Sequence, residues 1–239
     1  MAVLIVTGTG TDVGKTVVTA ALAACARGSV AVVKLAQTGV TPGEPGDLAE
    51  ITRLSGCTNV HEFARYPAPL SPHHAALESG LPALEQGDAV MRIAELELDN
   101  DLVLVEGSGG LLVPYQEPEH WTIYDLGVEL AAEYVLVTSA GLGTINHTTL
   151  TVNAIEESRD RAAIIIGSWP AQPGLAERCN VVDLGMMGRK SHLDGVLPQG
   201  LPAMTDFAQR ARAALAPKFG GTFDWLAFRA AARPTLGAT

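Results

Sequence analysis

The chain has 239 residues, 47% of them apolar and 18% charged, with a formal net charge of −10. An acidic chain without a Lys/Arg block is a poor partner for nucleic acid or for an anionic membrane surface, because both reward clustered positive charge. Phosphate ligands stay open, since a glycine turn concentrates its few positive groups locally.

Residues 3–6, Val-Leu-Ile-Val, form the first predicted strand. A glycine-rich turn follows, then Gly14-Lys15-Thr16, then an Ala-rich helix over residues 17–26. Strand, glycine loop, Lys-Thr and helix is the order in which a chain cradles a nucleoside triphosphate. The backbone of Gly10, Thr11, Asp12, Val13, Gly14, Lys15, Thr16 and Val17 would face the phosphate oxygens, with the positive end of the helix behind it. Lys15 would reach the β- and γ-phosphates, and the Thr16 hydroxyl would sit on Mg²⁺. The spacing departs from the usual loop, because Thr9 stands in the first glycine slot and Gly8 comes one residue early. The plainer reading is a tight turn that needs glycine for positive φ.

The second strand, residues 30–35, ends in Lys34 and runs on through Gln37-Thr38-Gly39. A lysine at the carboxyl end of a buried strand is a candidate anion or substrate group; otherwise it reaches solvent. Residues 41–46 form a Pro/Gly loop before Asp47 and a helix over 48–55. Asp47 is either the helix cap or a metal ligand. Residues 66–72, with three prolines, read as irregular, and residues 84–97 as a helix. The strand 102–105 ends in Glu106-Gly107-Ser108-Gly109-Gly110. Four apolar residues closed by an acid make a Walker-B-like strand, with Glu for the commoner Asp. A carboxylate at a buried strand tip needs a partner, which Mg²⁺ beside the glycine loop would supply.

A helix over 123–133 leads to a strand over 134–138, and glycines join that strand to a helix over 148–157. Free N–H groups around Gly143, Thr144, Ile145 and Asn146 would suit a carboxylate or phosphate, although Thr144 and Asn146 also serve as ordinary caps. His147 and the pair His73-His74 read as packing and hydrogen-bonding groups. The last strands are 163–167 and, weaker, 193–197. The stretch 179–190 fits strand or helix, 198–202 is irregular, and helices follow at 203–215 and 223–232. Apolar runs alternating with helices predict a three-layer α/β/α fold around a mostly parallel, doubly wound sheet of the P-loop type, in one domain over residues 1–239. Its ligand crevice lies at the carboxyl ends of the strands.

Cys25, Cys57 and Cys179 lie far apart without a CxxC pair, which reads as reduced thiols rather than a disulfide frame or zinc site. The N-terminus lacks a basic segment and a signal-length apolar run, and no stretch reaches the roughly 18 apolar residues of a spanning helix. The expectation is a soluble, cytoplasmic protein.

With these residues placed, the chain resembles the dethiobiotin synthetase family from Met1 to about Pro198. The shared features are the one-residue-longer glycine loop at residues 7–16, the stretch Lys34…Gln37-Thr38-Gly39, Asp47 after its loop and Ser71-Pro72-His73. Val105-Glu106-Gly107-x-Gly-Gly110 and Leu142-Gly143-x-Ile145-Asn146-His147 complete the set. The resemblance implies an ATP- and Mg²⁺-dependent ring closure. 7,8-Diaminopelargonic acid and CO₂ form a carbamate, whose oxygen attacks the γ-phosphate. The second amine then attacks the mixed carbamic–phosphoric anhydride, closing the cyclic urea and releasing phosphate. It also implies that Lys15, Lys34, Thr11 and Thr38 act in catalysis and that Thr16, Asp47 and Glu106 hold the metal. Nucleotide contacts would extend to Glu106 and Gly107. Thr38, Gly109, Gly143, Thr144, Ile145 and Asn146 would bind substrate, the last four from the neighbouring subunit of a homodimer.

Two departures stand out. Leu35 replaces the family's usual Pro, and Gly167 stands where the family often has an adenine-reading Asn. Weak base discrimination follows as an expectation, with backbone contacts at Gly167, Pro198, Gln199 and Gly200. The competing reading is a partitioning or positioning ATPase of the related deviant P-loop group. Such proteins carry an extra lysine early in the loop, and none precedes Lys15 here.

Overall fold

The computed structural model describes residues 2–118, 120–157, 161–187 and 191–232. Its strands are β1 (Ala2–Gly8), β2 (Val30–Thr38), β3 (Val60–Tyr66), β4 (Leu102–Glu106), β5 (Glu133–Thr138), β6 (Ala162–Trp169) and β7 (His192–Pro198). They pair in the order β3-β2-β4-β1-β5-β6-β7, every pair parallel. The helices are α1 (Lys15–Cys25), α2 (Asp47–Ser55), α3 (Pro72–Ser79), α4 (Gln86–Asp99), α5 (Ile123–Glu129), α6 (Thr144–Glu157), α7 (Leu175–Leu184), α8 (Phe207–Ala214) and α9 (Trp225–Ala232). Among the described residues no helix is long and apolar enough to cross a membrane.

Successive side chains of a strand point to opposite faces, so continuous apolar strands bury both. Leu4, Val6, Val32, Leu104, Val135, Val137 and Ile165 meet α1, α2 and α8 on one side. Val3, Ile5, Val33, Val103, Val105, Leu136 and Ile164 meet the remaining helices on the other. The chain leaves β1 through α1 toward β2 on one side and later returns to β5 on the other. A crevice therefore opens above the carboxyl end of β1.

The structure extends the sequence reading in four places. Strand β3 went unread because its sequence, VHEFARY, mixes polar with apolar residues on a half-buried sheet edge instead of forming an apolar run. The proline-rich stretch at 66–72 ends in α3, with Pro72 in its first turn, where a missing N–H costs nothing. The helix expected over 123–133 stops at Glu129, because Ala131 takes φ 49 and Glu133 opens β5. The ambiguous stretch 179–190 is helical to Leu184, and residues 188–190 lie outside the described residues.

Candidate active site

The turn after β1 is built to present backbone donors. Asp12 and Gly14 take φ of 58 and 98, which bends the chain back over itself. Thr9 N–H donates to Val137 O, and helical bonding resumes only at Val18. Between them, no backbone N–H of residues 10–17 donates to an acceptor among the described residues. Unpaired N–H groups around a helix N-terminus form an anion-binding concavity. Lys15 opens α1, is buried, and folds back to donate its Nζ to Gly10 O at 2.8 Å. Burial, and then the Lys34 charge, lower its pKa below the ordinary lysine value.

Register supplies the rest. On adjacent strands Lys34 of β2 stands opposite Glu106 of β4, and Glu106 stands opposite Val6 of β1. All three belong to the even-numbered set that faces α1, so the lysine and the acid meet beneath the glycine turn. Lys34 Nζ donates to Glu106 Oε1 at 2.8 Å and to Gly107 O at 3.2 Å, and lies 2.5 Å from Asp47 Oδ2. Thr16 Oγ1 donates to the same Glu106 Oε1 at 3.1 Å. Lys34 is 4% exposed and Glu106 not at all. Burial alone would lower the Lys34 pKa, but Glu106 and Asp47 together hold it above the ordinary value.

A cavity of about 410 Å³ brings together Thr11, Asp12, Gly14, Lys15, Thr16, Lys34, Thr38, Asp47, Glu106 and Gly109. Ala36, Gln37 and Ser108 also line it. Gln37 Oε1 accepts from Asp47 N–H at 2.8 Å, which anchors the start of α2 and keeps Asp47 beside Lys34. Gly10 and Gly107 contribute the carbonyls that receive the two lysines. Val13 and Val17 pack with the α1 face of the core. A larger cavity of about 780 Å³ opens at the amino ends of β1 and β4, and none of the predicted site residues lines it.

The oxygen donors Thr16, Asp47 and Glu106 suit a hard cation that keeps several waters and shares phosphate oxygens, which is the habit of Mg²⁺. The geometry thus brings a turn of free backbone donors, the oxygens of Thr16, Asp47 and Glu106, and two buried lysines to one cavity.

The comparisons with known proteins agree with that geometry. A family model described as AAA domain matches residues 2–202. The chain is 60% identical over 188 residues to the ATP-dependent dethiobiotin synthetase BioD of Rhodococcus jostii, spanning 77% of this chain and 81% of that one. It is 51% identical over 236 residues to the namesake from Frankia casuarinae, spanning 96% and 98%. The chain belongs to the dethiobiotin synthetase family. The ParA family ATPase from Chlorobium tepidum superposes with a TM-score of 0.50 at 14% identity, covering 88% of each chain. That is a likeness of fold alone.

Within the dethiobiotin synthetase frame, two groups of predicted residues stand apart from the cavity. Gly143, Thr144, Ile145 and Asn146 open α6 and do not line it. Thr144 keeps its N–H for Gly141 O and its hydroxyl for Ser139 O and the hydroxyls of Thr138 and Thr148. The backbone N–H groups of Ile145 and Asn146 have no acceptor among the described residues, and Asn146 is exposed. Gly167 lies behind the phosphate turn: a Cβ there would stand 2.0 Å from Val13 O. Pro198, Gln199 and Gly200 flank it, with Gln199 N–H on Trp169 O at 2.7 Å. Sequence reasoning passed over Thr19, which bonds Glu106 from one helical turn beyond Lys15. The available signal was a hydroxyl four residues from Lys15, on the same helix face.

Proposed function

We propose that the protein closes the cyclic urea of dethiobiotin from 7,8-diaminopelargonic acid and CO₂ at the expense of ATP. It is an ATP-dependent ligase of biotin biosynthesis by its family. The observation that carries the residue-level reading is the register pair Lys34–Glu106 set against Lys15 and Thr16 in one cavity. The loop itself counts against a switch ATPase, since no lysine precedes Lys15 in it.

The free N–H groups of residues 10–17 and the Lys15 ammonium would hold the β- and γ-phosphates. Thr16, Asp47 and Glu106 would hold Mg²⁺, which when bound neutralises phosphate charge. Lys34 would stabilise the carbamate and phosphoryl oxygens, with Thr11 and Thr38 donating hydrogen bonds beside it. The carbamate oxygen attacks the γ-phosphorus and the nucleoside diphosphate leaves. The second amine then attacks the carbonyl carbon and phosphate leaves. No side chain need bond covalently to substrate, so orientation carries much of the rate.

The described residues read as one P-loop domain, and the working enzyme as a cytoplasmic homodimer. Support for the dimer comes from α6 and the turn that leads into it. Leu142 is 87% and Leu150 62% exposed, and the Gly143–Asn146 corner stands outside its own chain's cavity. A second copy seated there would receive that corner at its own substrate carboxylate. Phosphate release measured with and without diaminopelargonate and bicarbonate tests the reaction. Release that requires both supports it; release indifferent to the diamine favours the switch ATPase.

A further inference from the structure

Glu106 is wholly buried, yet each of its oxygens has a separate task. Oε1 accepts from Lys34 Nζ at 2.8 Å and from Thr16 Oγ1 at 3.1 Å, on the cavity side. Oε2 accepts from Thr19 Oγ1 at 2.6 Å. Thr19 Oγ1 also lies 3.0 Å from Lys15 O, but a hydroxyl has one proton. The shorter contact to a carboxylate falls in the range of charge-assisted O–H···O⁻ bonds and takes it. Thr19 itself is fully buried, in the face of α1 that packs on β4. Its hydroxyl serves no helix cap, since it sits one turn inside α1.

We propose that Thr19 is a positioning residue: it pins Oε2 of Glu106 so that Oε1 alone is presented to Thr16, Lys34 and the divalent cation. Without that bond the carboxylate turns about its Cγ–Cδ axis toward Lys34, and the metal corner loses its fixed oxygen. Groups that orient a ligating carboxylate from behind commonly change metal affinity by about 10- to 100-fold when removed. The inference rests on the reading of Glu106 as a metal ligand.

The test is Mn²⁺ binding by electron paramagnetic resonance to the full chain with a non-hydrolysable ATP analogue, in wild type, Thr19→Val and Thr19→Ser. Thr19→Val keeps the shape and deletes the donor; it should weaken Mn²⁺ retention by about 10- to 100-fold. Analogue affinity in excess chelator should stay unchanged, and Thr19→Ser should behave as wild type. If Thr19→Val fails to fold, Thr19→Ala against Thr19→Ser makes the same comparison. Unchanged Mn²⁺ affinity in the hydroxyl-free variant overturns the inference. So does an equal loss of metal-free nucleotide affinity, or a Ser variant as weak as Val, since either marks simple packing. Glu106→Gln separates the layers. If it leaves Mn²⁺ binding intact, the reading of the metal corner fails. If it weakens binding and Thr19→Val does not, only the role of Thr19 fails.

Discussion

Replacing Lys34 by methionine probes the ion cluster on which the site depends. Methionine keeps an unbranched apolar stem and removes the charge. Lys34 now serves two carboxylates of unequal standing. The Asp47 side chain is 32% exposed and regains water when Lys34 is lost. Glu106 is sealed and keeps only the hydroxyls of Thr16 and Thr19. Deleting one partner of a buried pair typically costs about 3–5 kcal/mol. Two surviving hydroxyl bonds put this case at the lower end, about 3 kcal/mol. Urea denaturation of the nucleotide-free protein measures it. The double variant Lys34→Met/Glu106→Gln should recover much of the loss, because the orphaned charge is gone. The Lys34 pKa is raised in the folded state. Its contribution is therefore fully present below the ordinary lysine value and disappears only as pH rises through the folded value. The gap between wild type and Lys34→Met should hence stay flat from neutral pH to about 10. A loss below about 1 kcal/mol, the scale of an exposed pair, would refute the burial argument. So would a double variant whose loss equals the sum of the two single losses.

The other expectations are briefer. Gly167→Ala puts a methyl 2.0 Å from Val13 O, a backbone atom that cannot swing aside, so the phosphate turn must shift. The expected cost is about 1–3 kcal/mol in stability together with weaker nucleotide binding, and an unchanged nucleotide Kd would count against the close approach. Lys15 has a lowered pKa, so in the free enzyme it loses its charge at a pH below that of an ordinary lysine. Nucleotide affinity by calorimetry should fall on the alkaline side earlier than ordinary lysine titration dictates, and Lys15→Arg should move that limb upward. With no side chain at residue 167 to read a base edge, turnover with ATP, CTP and GTP should be of similar efficiency. A strong preference for ATP among the three would sink that view.

By itself, the order of residues determined the parallel sheet, the glycine turn and the identity of its chemical groups. Strands buried on both faces must be apolar throughout, so β1, β2, β4, β5 and β6 announce themselves, and any lysine or glutamate ending such a run is conspicuous. Edge strand β3 escaped, because a strand half in water carries no such run. Only tertiary structure decided who meets whom. That Lys34 faces Glu106 follows from β4 slotting between β2 and β1, a pairing across 72 residues of chain that no local pattern encodes. Thr19 became part of the site in the same way, through the rotation of α1 against β4 rather than through any motif. Local chemistry is written residue by residue. Juxtaposition comes from burying two faces of one sheet at once, a condition that the whole chain must satisfy together.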